Sequence, residues 1–252
     1  ASEIPLEFSH AGFRFGHSMV RKSYKVNDDN INALNLCDLF NPCHKPISIN
    51  QIVDWRRFFN LKVKDTDNIF AELIDDIIVN PMSNIPDQKH SIIRLNMQAG
   101  FNVELPSGIQ ILNEIRKNKS LALELKLDKG NYIPIDYTNV EYKPYLDAVN
   151  QDENKIPLWL YILLEAKTQA TRYNDGLGKL GSVIVAEVIL QVIKQSENTI
   201  FENNIINPID FNILNRASIE LLRCASKPEE IYLGLLYDFR RFKMTDLINF
   251  IN

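Results

Sequence analysis

The chain has 252 residues, of which 45% are apolar and 24% charged, with a formal net charge of −4. That length can bury a substantial core, and no Lys/Arg cluster is dense enough to track a phosphate backbone, so nucleic acid is not an expected partner. The most apolar run, residues 182–193, carries Glu187 and is too short to span a bilayer, so no transmembrane segment is expected.

No basic and then apolar leader pattern is visible, and the chain begins with Ala, as a processed product or an excised piece would. Cys37, Cys43 and Cys224 leave a Cys37–Cys43 disulfide open without making a disulfide framework. They do not decide between cytoplasm and secretion.

Helical patterns dominate. Pro5 suits a first helical turn, and the segment to about Tyr24 places Phe13, His17, Val20 and Tyr24 on one face at 3.6-residue spacing. Residues 27–50 read as an irregular excursion, and residues 49–59 as a short helix carrying Trp55. Thr66 or Asp67 is placed to cap a helix over residues 69–79, with Asn80-Pro81 as its stop. Ser107 and Gln110 form a capping-box pattern for a helix to about Lys117. Leu121, Leu123, Leu125 and Leu127 alternate ahead of Asp128-Lys129-Gly130-Asn131, which predicts a strand and a turn.

Residues 128–156 are otherwise loop-like. Pro157 opens a strong helix, PLWLYILLEAKTQATR, and a Gly-punctuated turn leads to SVIVAEVILQVIKQS, apolar nearly all round and expected at the centre of the core. Residues 215–225 and 228–236 are two further short helical candidates. The expected organisation is one mostly helical unit over residues 1–252.

GLGKLG at residues 176–181 matches a dinucleotide-binding spacing but follows a helix, so a cap and turn between packed helices is the better reading. Asp65-x-Asp67 with Asp75-Asp76 lacks the Gly and the terminal Glu of a calcium loop. No G-x-S-x-G, H-E-x-x-H or P-loop is present. Asn96 lies in RLNMQAGFNVELPSG, among turn formers, where an Asn ordinarily bonds a loop backbone.

The stretch EFSHAGFRFGHSMVRKSY places Arg14 at i−3 and Arg21 at i+4 from His17, so one ligand can meet all three on a helix. A neutral imidazole coordinates a metal through one nitrogen while the other is held by a carbonyl or amide. His10 shares the face but is too far along for the same metal. On spacing alone, a His packed among aromatics remains the plainer reading.

EFSHAGFRFGHSMVRKSY resembles the proximal helix of the animal-type haem peroxidase superfamily, which includes mammalian-type peroxidases, cyclooxygenases and fatty-acid dioxygenases, and particularly its bacterial members. RLNMQAGFNVELPSG resembles that family's segment with the proximal Asn and a Leu-Pro-Ser-Gly turn. PLWLYILLEAKTQATRYNDGLGKLGSVIVAEVI resembles its late helix, Gly-rich turn and helix. The three fall in family order across residues 4–193.

The resemblance implies a mostly α, haem-peroxidase-like domain with little β, of which this chain is the proximal, C-terminal part. It implies haem b with His17 as the iron ligand, Arg14 as the partner of a propionate, and Asn96 as the catalytic and cofactor-binding residue that accepts from the far nitrogen of His17. Ala99 stands where the family usually carries an Arg that helps hold the haem carboxylates. The distal His and Arg are expected in an N-terminal half, on the same or a separate chain, since His10 sits on the proximal helix itself and His44 and His90 have no matching context. The expected activity is a haem oxidoreductase acting on a small molecule or lipid with peroxide or dioxygen. The alternative is a haem-free relative kept as a scaffold for binding or assembly.

Overall fold

The computed structural model describes residues 4–29, 32–39, 48–59, 69–83, 91–170, 176–195, 201–202 and 205–206. These residues are mostly helical. They fall into two compact units: residues 1–22, 36–40 and 71–190 make the first, and residues 23–35, 41–70 and 191–252 the second.

In the first unit, α1 (Leu6–His10) is followed by a 3₁₀ segment, Gly12–His17. The expected helix to Tyr24 therefore breaks at Ala11, which leaves helical geometry at φ −136° and ψ −65°. Ala11 is fully buried, and Gly12 lies so close to α9 (Lys179–Gln195) that a Cβ there would sit 2.9 Å from Ile184 Cγ2. The break lets the backbone itself pack where a side chain would not fit. Three residues per turn also replace 3.6, so Phe13 swings out to solvent while Arg14 and His17 eclipse.

After α2 (Leu36–Leu39), residues 69–79 are not the expected helix; instead Asn80-Pro81 opens α3 (Asn80–Ser83), since proline is tolerated in a first turn. The proposed caps Thr66 and Asp67 lie outside the described residues. The Asn96 segment is helical, not a loop: α4 (Ile92–Asn102) is capped by Ser91, whose Oγ accepts from Arg94 N at 3.3 Å. The helix α5 (Gly108–Lys117) carries the expected capping box, with Gln110 N donating to Ser107 Oγ at 3.2 Å and Ser107 N to Gln110 Oε1 at 2.8 Å.

The expected strand at residues 121–127 is a correction. Lys119–Glu124 forms α6, with Leu121 N donating to Asn118 Oδ1 at 3.1 Å. Its end is a Schellman motif: Leu127 N donates to Ala122 O at 2.8 Å, Lys126 N to Leu123 O at 3.1 Å, and Lys126 sits at φ 56°. Leu127 and Ala122 are both buried beneath that turn. The alternating leucines are unbranched at Cβ and favour helix, which here overrides their period of two. The predicted turn does form, with Asp128 Oδ1 accepting from Gly130 N at 2.9 Å.

Past α7 (Lys143–Ala148), α8 (Leu158–Gln169) is the centre of the unit. Leu158, Trp159 and every residue from Tyr161 to Ala166 are buried. Tyr161 and Leu164 face one apolar cluster, with Leu112, Leu127 and Ile156; Leu158, Trp159, Ile162 and Leu163 face another, with Ala11 and Ile74. The central place expected for α9 thus belongs to α8. The later helix meets it at its start, through Leu180 N and Gly181 N on Glu165, and leaves Ile189 and Leu190 about half exposed. No helix among the described residues is long and apolar enough to cross a membrane.

In the second unit, β1 (Ser23–Tyr24) pairs antiparallel with β2 (Leu34–Asn35), Tyr24 opposite Leu34. Tyr24 stacks on Phe58 at 6.1 Å. The short helix expected over residues 49–59 resolves into two 3₁₀ turns, Ile49–Gln51 and Trp55–Phe58, the second capped by Asp54. A second pair, β3 (Phe201–Glu202) with β4 (Ile205–Ile206), is antiparallel. Cys37 of the first unit is a free, exposed thiol, and the Cys37–Cys43 pairing left open by the sequence involves a residue outside those described. Cys43, Cys224, His44, His90 and residues 215–236 lie outside the described residues.

Candidate functional site

The 3₁₀ segment is fixed to α8 by Trp159, whose Nε1 donates to Arg14 O at 3.1 Å. Arg14 is further held by its Nε donating to Ser9 O at 3.2 Å. On the facing side, α4 turns Ile93, Asn96, Met97 and Gly100 inward, the i, i+3, i+4, i+7 stripe of an amphipathic helix. Asn96 is the polar member of that stripe and is 1% exposed. A polar group buried so completely needs partners, and it has two.

Arg14 NH1 donates to Asn96 Oδ1 at 3.1 Å, and Asn96 Nδ2 lies 2.9 Å from His17 Nδ1. Residues 14, 17 and 96 are therefore joined in one hydrogen-bonded row, although Asn96 is 82 positions from Arg14 and 79 from His17. His17 is half-buried, and its Nε2 makes no hydrogen bond to another described residue. Burial first, and the adjacent Arg14 charge second, hold the imidazole below its usual range, which favours the neutral ring.

Arg21 does not join the row. The 3₁₀ turn ends at His17, so a helical i+4 offset no longer applies, and Arg21 NH1 pairs with Glu72 Oε1 at 3.1 Å. His10 stays at the end of α1, where its Nδ1 lies 2.9 Å from Ser9 Oγ. Ala99 is half-buried on α4 and adds no charge beside Asn96.

Among the described residues no three His, Cys, Asp or Glu side chains converge to hold a metal ion. A metal at His17 would have to bring its other ligands with it, as haem iron does. The row fits such an iron in residue types: an imidazole held through Nδ1 by a buried amide leaves Nε2 without a partner among the described residues. It fits in proton placement only after the Asn96 carboxamide turns over, a rotation about its last bond that exchanges Oδ1 and Nδ2 without moving the chain.

GLGKLG is a helix start, and its anion-binding end is occupied from within. Glu165, fully buried on α8, accepts from Leu180 N and Gly181 N of α9 at 2.9 Å each and from Tyr132 Oη at 2.7 Å. A Cβ on Gly178 would sit 2.4 Å from Glu165 Cγ, so glycine there is what lets the carboxylate dock. Burial pushes the Glu165 carboxyl up, and those donors pull it back. A phosphate has no place left at that helix end. Sequence reading missed Glu165; the available signal was one carboxylate inside LYILLEAK.

A cleft of about 380 Å³ lies beside α8, lined by Ile93, Met97, Val149, Trp159 and Leu163, with Asp76 at its edge. Asp76 is already engaged by Tyr145 Oη and, at 2.6 Å, by Lys167 Nζ. Burial and that contact push the Tyr145 hydroxyl up to about 12. The cleft shares Trp159 and Met97 with the structure around the row but does not include His17.

No protein-family model matches the chain, and no curated protein and no solved structure matches it either.

Proposed function

We propose that this chain forms the proximal side of a haem-dependent oxidoreductase of the peroxidase or fatty-acid dioxygenase type, on a haem-peroxidase-like helical fold. One observation carries the reading. The residues picked out by the resemblance, which lie on segments far apart in sequence, share a single hydrogen-bonded row.

In this reading Nε2 of His17 would carry the iron, and haem when bound supplies the redox chemistry. The chain's own residues set the geometry. Asn96, locked in the α4 stripe, orients the imidazole and decides which ring nitrogen holds the proton. Arg14, half-exposed beside it, meets a haem carboxylate. Trp159 anchors the 3₁₀ segment so that His17 keeps its place. The groups acting on peroxide or dioxygen come from a distal partner segment or chain, which this reading requires. Ala99 and the bond from Arg14 to Asn96 favour a second reading, a haem-free scaffold for binding or assembly.

The test is an optical titration of the protein in its longest natural form with haemin. A Soret band is expected, and His17→Ala abolishes it. Protein that stays colourless after reconstitution contradicts the enzyme reading and leaves the scaffold.

A further inference from the structure

We infer that Arg14 locks His17 in the tautomer that cannot coordinate a metal, and that a carboxylate drawing Arg14 away opens the ring. The lock follows from donor and acceptor inventory alone. Arginine nitrogens are donors only, so the atom of Asn96 facing Arg14 NH1 at 3.1 Å is the oxygen. The other end of the amide, Nδ2, is then a donor, and it faces His17 Nδ1 at 2.9 Å. Nδ1 must accept, so it carries no proton, and the neutral ring holds its hydrogen on Nε2. An imidazolium has N–H groups at both nitrogens and would set donor against donor at Nδ1.

Nε2 is the nitrogen left without a partner among the described residues, so the free edge of His17 is an N–H. Coordination needs a lone pair there. Turning the Asn96 amide over supplies it, because Oδ1 then accepts from Nδ1–H. The same rotation aims Nδ2 at Arg14, two donors face to face, so Arg14 has to leave first.

What draws it away is a planar anion. Nε and NH1 use two of the five guanidinium N–H groups, and the side chain is half-exposed, so a carboxylate can take Arg14 as a bidentate partner. This opening step rests on the haem reading, in which metal and carboxylate arrive on one ligand. The lock itself does not rest on it.

Nitrogen-15 NMR of the metal-free chain reads the tautomer directly. The wild-type ring is expected with its proton on Nε2, Arg14→Lys (donor-only) the same, and Arg14→Ala shifted toward Nδ1–H. A wild-type ring protonated on Nδ1 overturns the lock without recourse to any variant. The opening is read by comparing haemin with its dimethyl ester, which has no carboxylates. Arg14→Ala should bind the ester about 10-fold or more tighter than wild type does, the scale of one charge-assisted hydrogen bond. A mere propionate contact predicts weaker haemin binding and an unchanged ester affinity, and that result overturns the opening step. If neither compound binds either protein, the haem reading and the opening fall together, while the tautomer still decides the lock.

Discussion

Glu165→Ala is expected to lower the unfolding free energy by about 3–5 kcal/mol, the scale of orphaning several buried hydrogen-bond donors at once. The side chain is fully buried and satisfies three donors at once, two of them first-turn amides of α9. Removing it leaves Leu180 N, Gly181 N and one side of the Tyr132–Tyr161 hydroxyl pair unmet in a dry interior, at about 1–3 kcal/mol for each orphaned group before relaxation. It also removes the acceptor that faces the positive end of the α9 dipole. Urea unfolding read by linear extrapolation measures the loss. A change below about 1 kcal/mol would show that water or a neighbour replaces the carboxylate.

Asn96→Asp is expected to reverse the pH dependence that His17 gives to stability. In the wild type His17 is held below its ordinary value by burial and then by Arg14. Between that lowered value and about 6.5 the unfolded chain binds more protons than the folded one, so stability rises with pH and is lost as pH falls through the window. An aspartate at position 96 accepts from Arg14 and from Nδ1–H together. A carboxylate in contact favours the imidazolium, which should raise His17 above its ordinary value. Its stabilisation is then full below about 6.5 and disappears as pH rises through the new value. Proton NMR titration of the His17 ring, with urea unfolding on either side of neutrality, checks both halves. A variant ring that still titrates below the ordinary histidine value contradicts the expectation.

Much of the helical plan was legible where it depends on local chemistry. The Ser107–Gln110 box and the Pro157 start sit where their donors and fixed φ place them. The helix ends were harder to read, for a physical reason. The helices α4, α6 and α7 all close with Schellman bonds whose left-handed residues are Glu104, Lys126 and Asn150, and none of these is the glycine that normally marks such a stop. Without that mark, residues 94–108 read as turn formers and residues 121–127 as a strand. The 3₁₀ segment was missed because its cause is a distant one, the close pass of Gly12 against α9.

The centre of the core was misassigned between two helices of similar apolarity. Aromatic bulk at Trp159 and Tyr161, and Glu165 reaching into the start of α9, give α8 the inner place. For the row itself, spacing brought Arg14 to His17 but not Asn96, since a contact across 79 positions leaves no local pattern. An Asn in the middle of an inward-facing helical stripe is the trace it does leave, visible only once residues 91–102 are read as helix.

The central claim is that Arg14 and Asn96 act on His17 as one unit. A double-mutant cycle of Arg14→Ala and Asn96→Ala, read by urea unfolding, tests it most directly. The row predicts a coupling of about 1–2 kcal/mol, the double variant losing less than the sum of the singles, as contacting residues do. Losses that add within about 0.3 kcal/mol would mean that the two residues act independently, and would contradict the account.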